Sequence, residues 1–287
     1  MRSAIVSLAL LALAGCGEPL KHLELIEDLR VLGARVEVEN APQRAAPRAG
    51  ERATVRWLVA SPEPAPSFGW ALEACFSGSA ETGIPSCGSP AFAAAESAGP
   101  ATGEPSLSFD VPADSAAGAR IVIQGEVCSE GPPCADIGTD VVLSFALGDE
   151  NTNPELEDDS LALDGAVLPA ADLIADGACG RVPSVQAGSG EHQLSLRIDD
   201  TDRDPQAAAT PLDPPNESLQ VTHFSTAGEL DSAFSAVDGA AALAPASAQW
   251  VAPVSAPPEG LLVRFFFVAR DFRGGSDWLE RGVCVVP

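Results

Sequence analysis

The stretch ATVRWLVA, residues 53–60, alternates apolar and polar side chains along its length. Val55, Trp57 and Val59 fall on one face, and Arg56 lies between them on the other. Because successive side chains of a β-strand point to opposite faces, this alternation is typical of a strand with one buried face. Residues 53–60 therefore predict a half-buried strand, and stretches of the same kind recur on both sides of it.

The first half of the chain is a series of short strand patterns separated by turn signals rich in Pro and Gly. Residues 77–104 are small and loop-like, and the pattern contains no long amphipathic helix. About seven strands in roughly 120 residues are typical of an immunoglobulin-like β-sandwich. The strands predicted in this half are 29–38, 53–60, 68–76, 107–111, 120–128 and 140–147.

The segment GDENTNP, residues 148–154, interrupts this pattern, and an acidic run follows at 155–159. A cluster of turn-forming and charged residues between periodic segments indicates a domain boundary. The second half then repeats the plan. Its predicted strands are 160–168, 192–199, 218–225, 249–251, 260–271 and 277–286.

The N-terminus has the form of an export signal, with Arg2 before a short apolar stretch that is too short to span a bilayer. Its end, Leu13-Ala14-Gly15-Cys16, resembles the lipobox of bacterial lipoproteins. This resemblance implies cleavage before Cys16 and acylation of Cys16, with palmitate as the expected type of chain. Gly17 is not the Asp that often retains lipoproteins at the inner membrane, so we expect an outer-membrane location in the cell envelope.

Two longer segments resemble known domain families. Residues 29–60 are similar to the opening of immunoglobulin-like domains in bacterial surface lipoproteins of the myxobacterial type. The matching positions are Pro47, Gly50, Glu51 and Thr54. The second half resembles polycystic-kidney-disease-like domains at Gly228, Trp250, Ala252, Pro253, Asp271, Gly274 and Gly275.

The predicted fold class is therefore all-β, with two tandem immunoglobulin-like β-sandwich domains behind a lipoprotein signal peptide. Such motifs are turns and core positions, so they imply a fold more than a function. The predicted organisation is a signal peptide at 1–15, a tether at 16–27, a first sandwich at 28–148, an acidic linker with the leading strand at 149–164, and a second sandwich at 165–287.

The charge of the chain excludes one large class of partner. The formal net charge is -25, with 41 acidic residues and 16 Lys and Arg. Such a surface repels phosphate backbones, so we do not expect nucleic-acid binding. It also repels anionic lipid, so the acyl chains on Cys16 must provide the attachment to the membrane.

Seven cysteines are present, and six remain once Cys16 is acylated. An even set in an exported chain predicts three disulfides. Spacing favours Cys75–Cys87, Cys128–Cys134 and Cys179–Cys284, and the alternative is a Cys75–Cys128 bridge between neighbouring strands. Zinc is disfavoured because the three histidines are scattered and no Cys-x-x-Cys occurs.

Residues 199–204, DDTDRD, are the sharpest polar cluster. Asp200, Asp202 and Asp204 alternate, so a looped backbone could turn three carboxylates toward Ca²⁺. The segment departs from an EF-hand loop because Pro205 replaces the turn Gly and Pro211 the closing Glu. The alternative is a solvated acidic loop, and the acidic run at the domain boundary leaves the same choice between calcium and a solubilising linker.

Catalytic motifs are missing: the sequence has no Gly-x-Ser-x-Gly elbow, Gly-rich phosphate loop or His-Glu-x-x-His pair. His192 and His223 fit ordinary strand positions, and three of the four tryptophans fit a sandwich core. We therefore predict a non-enzymatic, membrane-anchored cell-envelope lipoprotein that is a structural, adhesion or ligand-binding module without a resident cofactor. Its partner would be an envelope protein or glycan. The alternatives are a carbohydrate-binding module, or an enzyme or enzyme subunit with no recognisable motif.

Overall fold

The computed structural model describes residues 23–64, 66–78, 85–88, 90–97, 103–129, 138–148, 150–169, 179–206 and 214–287. Within these ranges the chain is all-β and resembles a β-sandwich in each half, as the sequence predicts. The strands of the first half are β1 (Arg30–Val38), β2 (Arg52–Ala60), β3 (Gly69–Phe76), β4 (Ala93–Glu96), β5 (Ser106–Asp110), β6 (Arg120–Cys128) and β7 (Gly138–Ala146).

The strands of the second half are shorter and more numerous. They are β8 (Leu161–Leu163), β9 (Ala166–Val167), β10 (Ser184–Gln186), β11 (Glu191–Leu196), β12 (Leu219–Ser225), β13 (Glu229–Leu230), β14 (Phe234–Val237), β15 (Ala246–Val251), β16 (Leu261–Arg270) and β17 (Ser276–Val286). Among the described residues, single-turn 3-10 helices occur at Cys179–Arg181 and Asp200–Asp202. In the described part of the chain, no helix has the length and hydrophobicity to cross a bilayer.

The first half forms two antiparallel sheets, β1-β2-β5 and β4-β3-β6-β7. Their facing side chains build one apolar core around Trp57, Phe109 and Phe145. Val55 and Trp57 are buried as the alternation predicts. The predicted loop at 77–104 contains β4, which pairs with residues 71–74 of β3. Its sequence, AAAE, has no large apolar residue to produce an alternating pattern.

The second half forms two sheets as well, and each has five strands: β10-β17-β16-β12-β14 and β13-β15-β11-β8-β9. All pairings are antiparallel except that of β10 with β17, which is parallel. The core lies around Trp250, Phe265 and Phe267, on the face of β16 that the sequence assigned to the core. Phe266, on the opposite face of β16, is buried as well.

The predicted strand at 160–168 is instead a tight hairpin of β8 and β9. Asp164 and Gly165 connect the two strands with φ angles of 49° and 81°. Both values lie in the left-handed region, where Asp is tolerated and Gly is free of steric cost. The Asp-Gly pair therefore reverses the chain and places Asp164 beside β11.

Candidate functional site: the joint between the two halves

The two halves pack on each other through an apolar cluster that neither sandwich core contains. Strands β1 and β2 supply one side, and β12, β16 and β17 supply the other. We call this region the joint; its apolar residues are Ile26, Leu32, Leu58, Ala60, Phe224, Phe266, Val268 and Trp278. Burial of such side chains on both sides stabilises one relative placement of the halves.

Two arginines of β16 reach across the joint to backbone carbonyls of the first half. Arg264 donates to the carbonyl oxygens of Ser61 and, at 2.8 Å, Glu63, and it pairs with Glu280 at 3.0 Å. Arg270 donates to the Leu32 carbonyl, and burial lowers the pKa of its guanidinium. A planar guanidinium has several donors in fixed directions, so each arginine fixes the register of the two surfaces.

An ion pair closes the other side of the joint. Arg35 of β1 contacts Asp277 of β17 at 2.5 Å, and the second oxygen of Asp277 accepts from the Leu156 amide at 2.9 Å. Burial raises the pKa of Asp277, whereas the positive charge of Arg35 opposes that change. The ionised form of Asp277 is therefore stabilised by Arg35, and loss of Arg35 would leave a buried charge unpaired.

The segment between the halves is itself built into the joint. Asn153 donates to the Val36 carbonyl at 2.7 Å and accepts from the Ser276 amide at 3.1 Å. Asn151 donates to Asp271 at 2.5 Å, and both asparagines are buried. The sequence predicted a turn signal here; the structure shows that these side chains also connect β1 with the β16–β17 hairpin.

Asp271 organises that hairpin. One of its oxygens accepts from the backbone amides of Arg273, Gly274 and Gly275 at 2.7–2.9 Å. Gly275 leaves no room for a side chain, because a Cβ there would lie 2.2 Å from the Asp271 carboxylate. Burial raises the pKa of Asp271 and these hydrogen bonds oppose it.

The structure gives the three aspartates of the predicted calcium loop separate partners. Asp200 pairs with Arg203 at 2.9 Å, and Asp202 accepts from the Asp199 amide at 2.6 Å. Asp204 accepts from the Thr152 amide at 2.9 Å and from its hydroxyl. Among the described residues no group of three or more metal-ligating side chains occurs. Calcium binding by Asp200, Asp202 and Asp204 stays a prediction.

The chain enters the joint almost immediately after the predicted acylation site. Cys16 and the predicted signal peptide lie outside the described residues, which begin at Leu23. Ile26 donates to the Ser225 carbonyl at 2.9 Å, Ser225 donates back to Glu24 at 2.9 Å, and Ile26 is buried in the joint. Positions 16 and 24 are eight Cα–Cα steps apart, a reach of about 28 Å when fully extended.

A groove of about 770 Å³ lies on the outer face of the β4-β3-β6-β7 sheet. Its acidic residues are Glu73, Glu96, Glu126 and Asp140, and Gln124 donates to Glu73 at 2.7 Å. Gly125 also lines the groove. The four carboxylates make the groove negatively charged, which disfavours anionic ligands.

The tryptophans do not form an exposed row in the part of the chain that is described. Trp57 and Trp250 are fully buried in the two cores, and Trp70 packs against the first. Trp278 is half-buried and packs against the apolar cluster of the joint. The sequence does not reveal that β17 faces the first half.

Two of the three predicted disulfides are present. Cys75–Cys87 has a Cα–Cα distance of 5.4 Å, and Cys179–Cys284 has one of 5.1 Å. The bridge from residue 75 therefore goes to Cys87 and not to Cys128. Cys128 is disulfide-bonded, but Cys134 lies outside the described residues, so the pairing Cys128–Cys134 stays a prediction.

Comparison with known proteins gives no further assignment. No protein-family model matches the chain, and no curated protein matches it either.

Proposed function

We propose that the chain is a lipid-anchored protein of the bacterial cell envelope, in which two immunoglobulin-like β-sandwiches form one rigid scaffold or binding module. The single observation that carries this proposal is the joint. Its apolar cluster, its cross-joint arginines and its buried asparagines all resist relative movement of the halves. A rigid body suits a protein that presents a surface at a fixed distance from a membrane.

The strand order supports the immunoglobulin-like assignment of both halves. The described part of the first half has seven strands in sheets of three and four, the usual size of such a sandwich. The second half pairs its last strand, β17, with the short parallel strand β10 at the edge of one sheet. The resemblance of residues 29–60 and 228–275 to such domains points the same way.

The position of Ile26 supports anchoring close to the membrane. Since the chain is inserted in the joint from residue 24, acyl chains on Cys16 would hold the body within about 28 Å of the bilayer. A double or triple acyl anchor binds a membrane stably without a basic patch. This agrees with the net charge of -25. Gly17 favours the outer membrane over the inner one.

The groove on the first half is the surface that we propose for partner binding. Its four carboxylates favour a neutral or cationic group on an envelope protein or glycan. A carbohydrate platform of stacked tryptophans has no support, since Trp57 and Trp250 are core residues and Trp278 lies in the joint.

A labelling experiment in bacterial cells tests the anchor. Wild-type protein expressed with a clickable palmitate analogue should carry the label and sediment with the membranes. Cys16→Ser should lose the label, whereas Gly17→Ala should keep it because the acylated cysteine is intact. An unlabelled wild-type protein, or equal labelling of Cys16→Ser, would refute the proposal.

A further inference from the structure

Three polar side chains meet at the β8–β9 hairpin, away from the joint and the groove. His192 Nδ1 lies 2.7 Å from Asp164 Oδ2, and His192 Nε2 lies 2.8 Å from Ser189 Oγ. Asp164 is on the hairpin turn, His192 is on β11, and Ser189 precedes β11. The order of contacts is carboxylate, imidazole and hydroxyl, which is the arrangement that activates a serine for acyl transfer.

The hydrogen bonds of Asp164 select the tautomer that such chemistry needs. Its other oxygen accepts from the Gln193 amide at 2.9 Å. The hydrogen bond with His192 is the largest cause that lowers the pKa of Asp164, so this side chain is a carboxylate at neutral pH. Because a carboxylate can only accept a hydrogen bond, Nδ1 of neutral His192 carries the proton and donates to Asp164, and Nε2 presents its lone pair to Ser189.

The Ser189 hydroxyl has a second acceptor, the Gln186 carbonyl at 2.7 Å. A hydroxyl has one proton, so it can donate either to Gln186 or to His192 at any moment. When His192 is neutral, Nε2 competes for this proton; when His192 is protonated, Nε2–H donates and Gln186 accepts. The hydroxyl is thus held in place in both protonation states.

The backbone around Ser189 is open. Its two neighbours, Gly188 and Gly190, carry no side chain, and their φ angles of 69° and 95° lie in the region that favours glycine. Within the described residues, the Gly190 amide donates no backbone hydrogen bond. An amide one residue after the nucleophile is a recurring donor to the oxyanion in serine hydrolases.

A cavity of about 410 Å³ adjoins these groups, and Asp164, Ser189 and His192 are among its lining residues. Much of the remaining lining is apolar, contributed by Leu163, Ala166, Leu168, Pro183 and Val185. Its size suits a small ligand, and its chemistry suits a short hydrocarbon chain. An acyl group placed there would bring its carbonyl carbon to the mouth of the cavity, where Ser189 is exposed.

We propose that Ser189, His192 and Asp164 form a catalytic triad that hydrolyses small carboxylic esters with a short apolar acyl group. Ser189 Oγ bonds to the ester carbonyl carbon while its proton passes to His192 Nε2. The C–O bond to the alcohol then breaks, and the alcohol leaves with that proton. Water next gives a proton to Nε2 and bonds to the acyl carbon, and the Ser189 Oγ–C bond breaks. Ser189 recovers the proton and a carboxylic acid leaves.

The test uses purified full-length protein, a fluorophosphonate probe and p-nitrophenyl acetate and butyrate. The probe should phosphonylate Ser189, located by peptide mass spectrometry, and Ser189→Ala should lose the label. Ser189→Ala and His192→Gln should lower ester hydrolysis about 100-fold or more, and Asp164→Asn should also lower it. Ser247→Ala, an exposed serine of β15, is the matched control and should keep full activity.

Thermal unfolding of each variant separates loss of chemistry from loss of fold. Because Ser189 is exposed, removal of its hydroxyl should leave the melting temperature nearly unchanged. The proposal is overturned if the folded wild type takes up no label at Ser189. It is equally overturned if Ser189→Ala hydrolyses both esters at the wild-type rate. Membrane attachment through Cys16 is independent of either result.

Discussion

Glu217 offers the sharpest test of how the buried charges beside the joint are balanced. It is 1% exposed, and one carboxylate oxygen accepts from the Asp204 amide at 3.0 Å. The other oxygen has no hydrogen-bond partner among the described residues. The pKa of Glu217 is raised to about 7, mainly by burial and in part by the nearby carboxylates of Asp271 and Asp204, while the hydrogen bond from the Asp204 amide and the charge of Arg273 oppose the rise.

The effect on stability follows from the two states of the chain. The pKa is 4.5 for the ordinary carboxyl and about 7 in the fold. At about 1.4 kcal/mol for each pH unit, ionisation of Glu217 costs the fold about 3 kcal/mol. Because the folded pKa is the higher one, the fold is more stable while Glu217 is protonated. This extra stability is fully present below pH 4.5 and is lost as the pH rises through about 7.

Glu217→Gln removes the ionisation and keeps an oxygen that can accept from the Asp204 amide. We expect the variant and the wild type to have nearly equal stability at pH 4.5. At pH 8 the variant should be more stable by about 3 kcal/mol, or roughly 6–10 °C in melting temperature for a protein of this size. Urea denaturation and calorimetry at both pH values measure the difference.

The exposed Glu259→Gln, which changes the net charge equally, is the matched control and should show no such pH-dependent gain. A difference between Glu217→Gln and wild type that is the same at pH 4.5 and pH 8 would refute the reasoning. It would mean that Glu217 does not hold a proton more tightly in the fold than in the unfolded chain.

Three further outcomes follow from the joint, the disulfides and the acidic loop. Removing the Cys179–Cys284 bridge, which spans 105 residues, should lower the free energy of unfolding in urea by about 4–5 kcal/mol. Removing Cys75–Cys87, which spans 12, should lower it less, and equal losses would contradict the chain-entropy explanation. Trp278→Ala should cost about 3 kcal/mol and separate a single calorimetric transition into two; one unshifted transition would count against the joint. If the loop aspartates 200, 202 and 204 bind Ca²⁺, millimolar Ca²⁺ should raise the melting temperature more than Mg²⁺ does, and changing all three to Asn should abolish that difference. Equal shifts for both ions in both proteins would leave only charge screening.

Much of the strand pattern was readable from alternation, because a strand buried on one face repeats every two residues. Residues 53–60 and 120–128 are strands within one residue of the prediction. Short edge strands escaped: β4 consists of small residues, and β13 has only two. Their pairing is set by tertiary neighbours and leaves little periodic signal.

The joint was not predictable in the same way. Phe266 and Trp278 lie on outer faces of their sheet, and nothing in a single strand tells whether an outer face meets water or another sheet. Asn151 and Asn153 were interpreted as turn residues, because turn and joint asparagines look alike in sequence.

The hydrolytic arrangement escaped for a related reason. Asp164 lies 28 residues from His192, and Ser189 lies three residues from it, so no local motif contains the three. The Asp-Gly pair signals a hairpin, but only the fold shows that this hairpin lies against β11. Because no linear motif contains the three residues, the sequence favoured a non-enzymatic interpretation.

The most direct test of the proposed function is the mass of the N-terminal peptide from protein extracted with detergent from the membrane fraction. We expect this peptide to begin at Cys16 and to carry a diacylglyceryl group on its sulfur, with or without a further acyl chain on its amino group. A wild-type protein that remains in the soluble fraction with an unmodified Cys16, or with a cleavage site elsewhere, would contradict a lipid-anchored envelope protein.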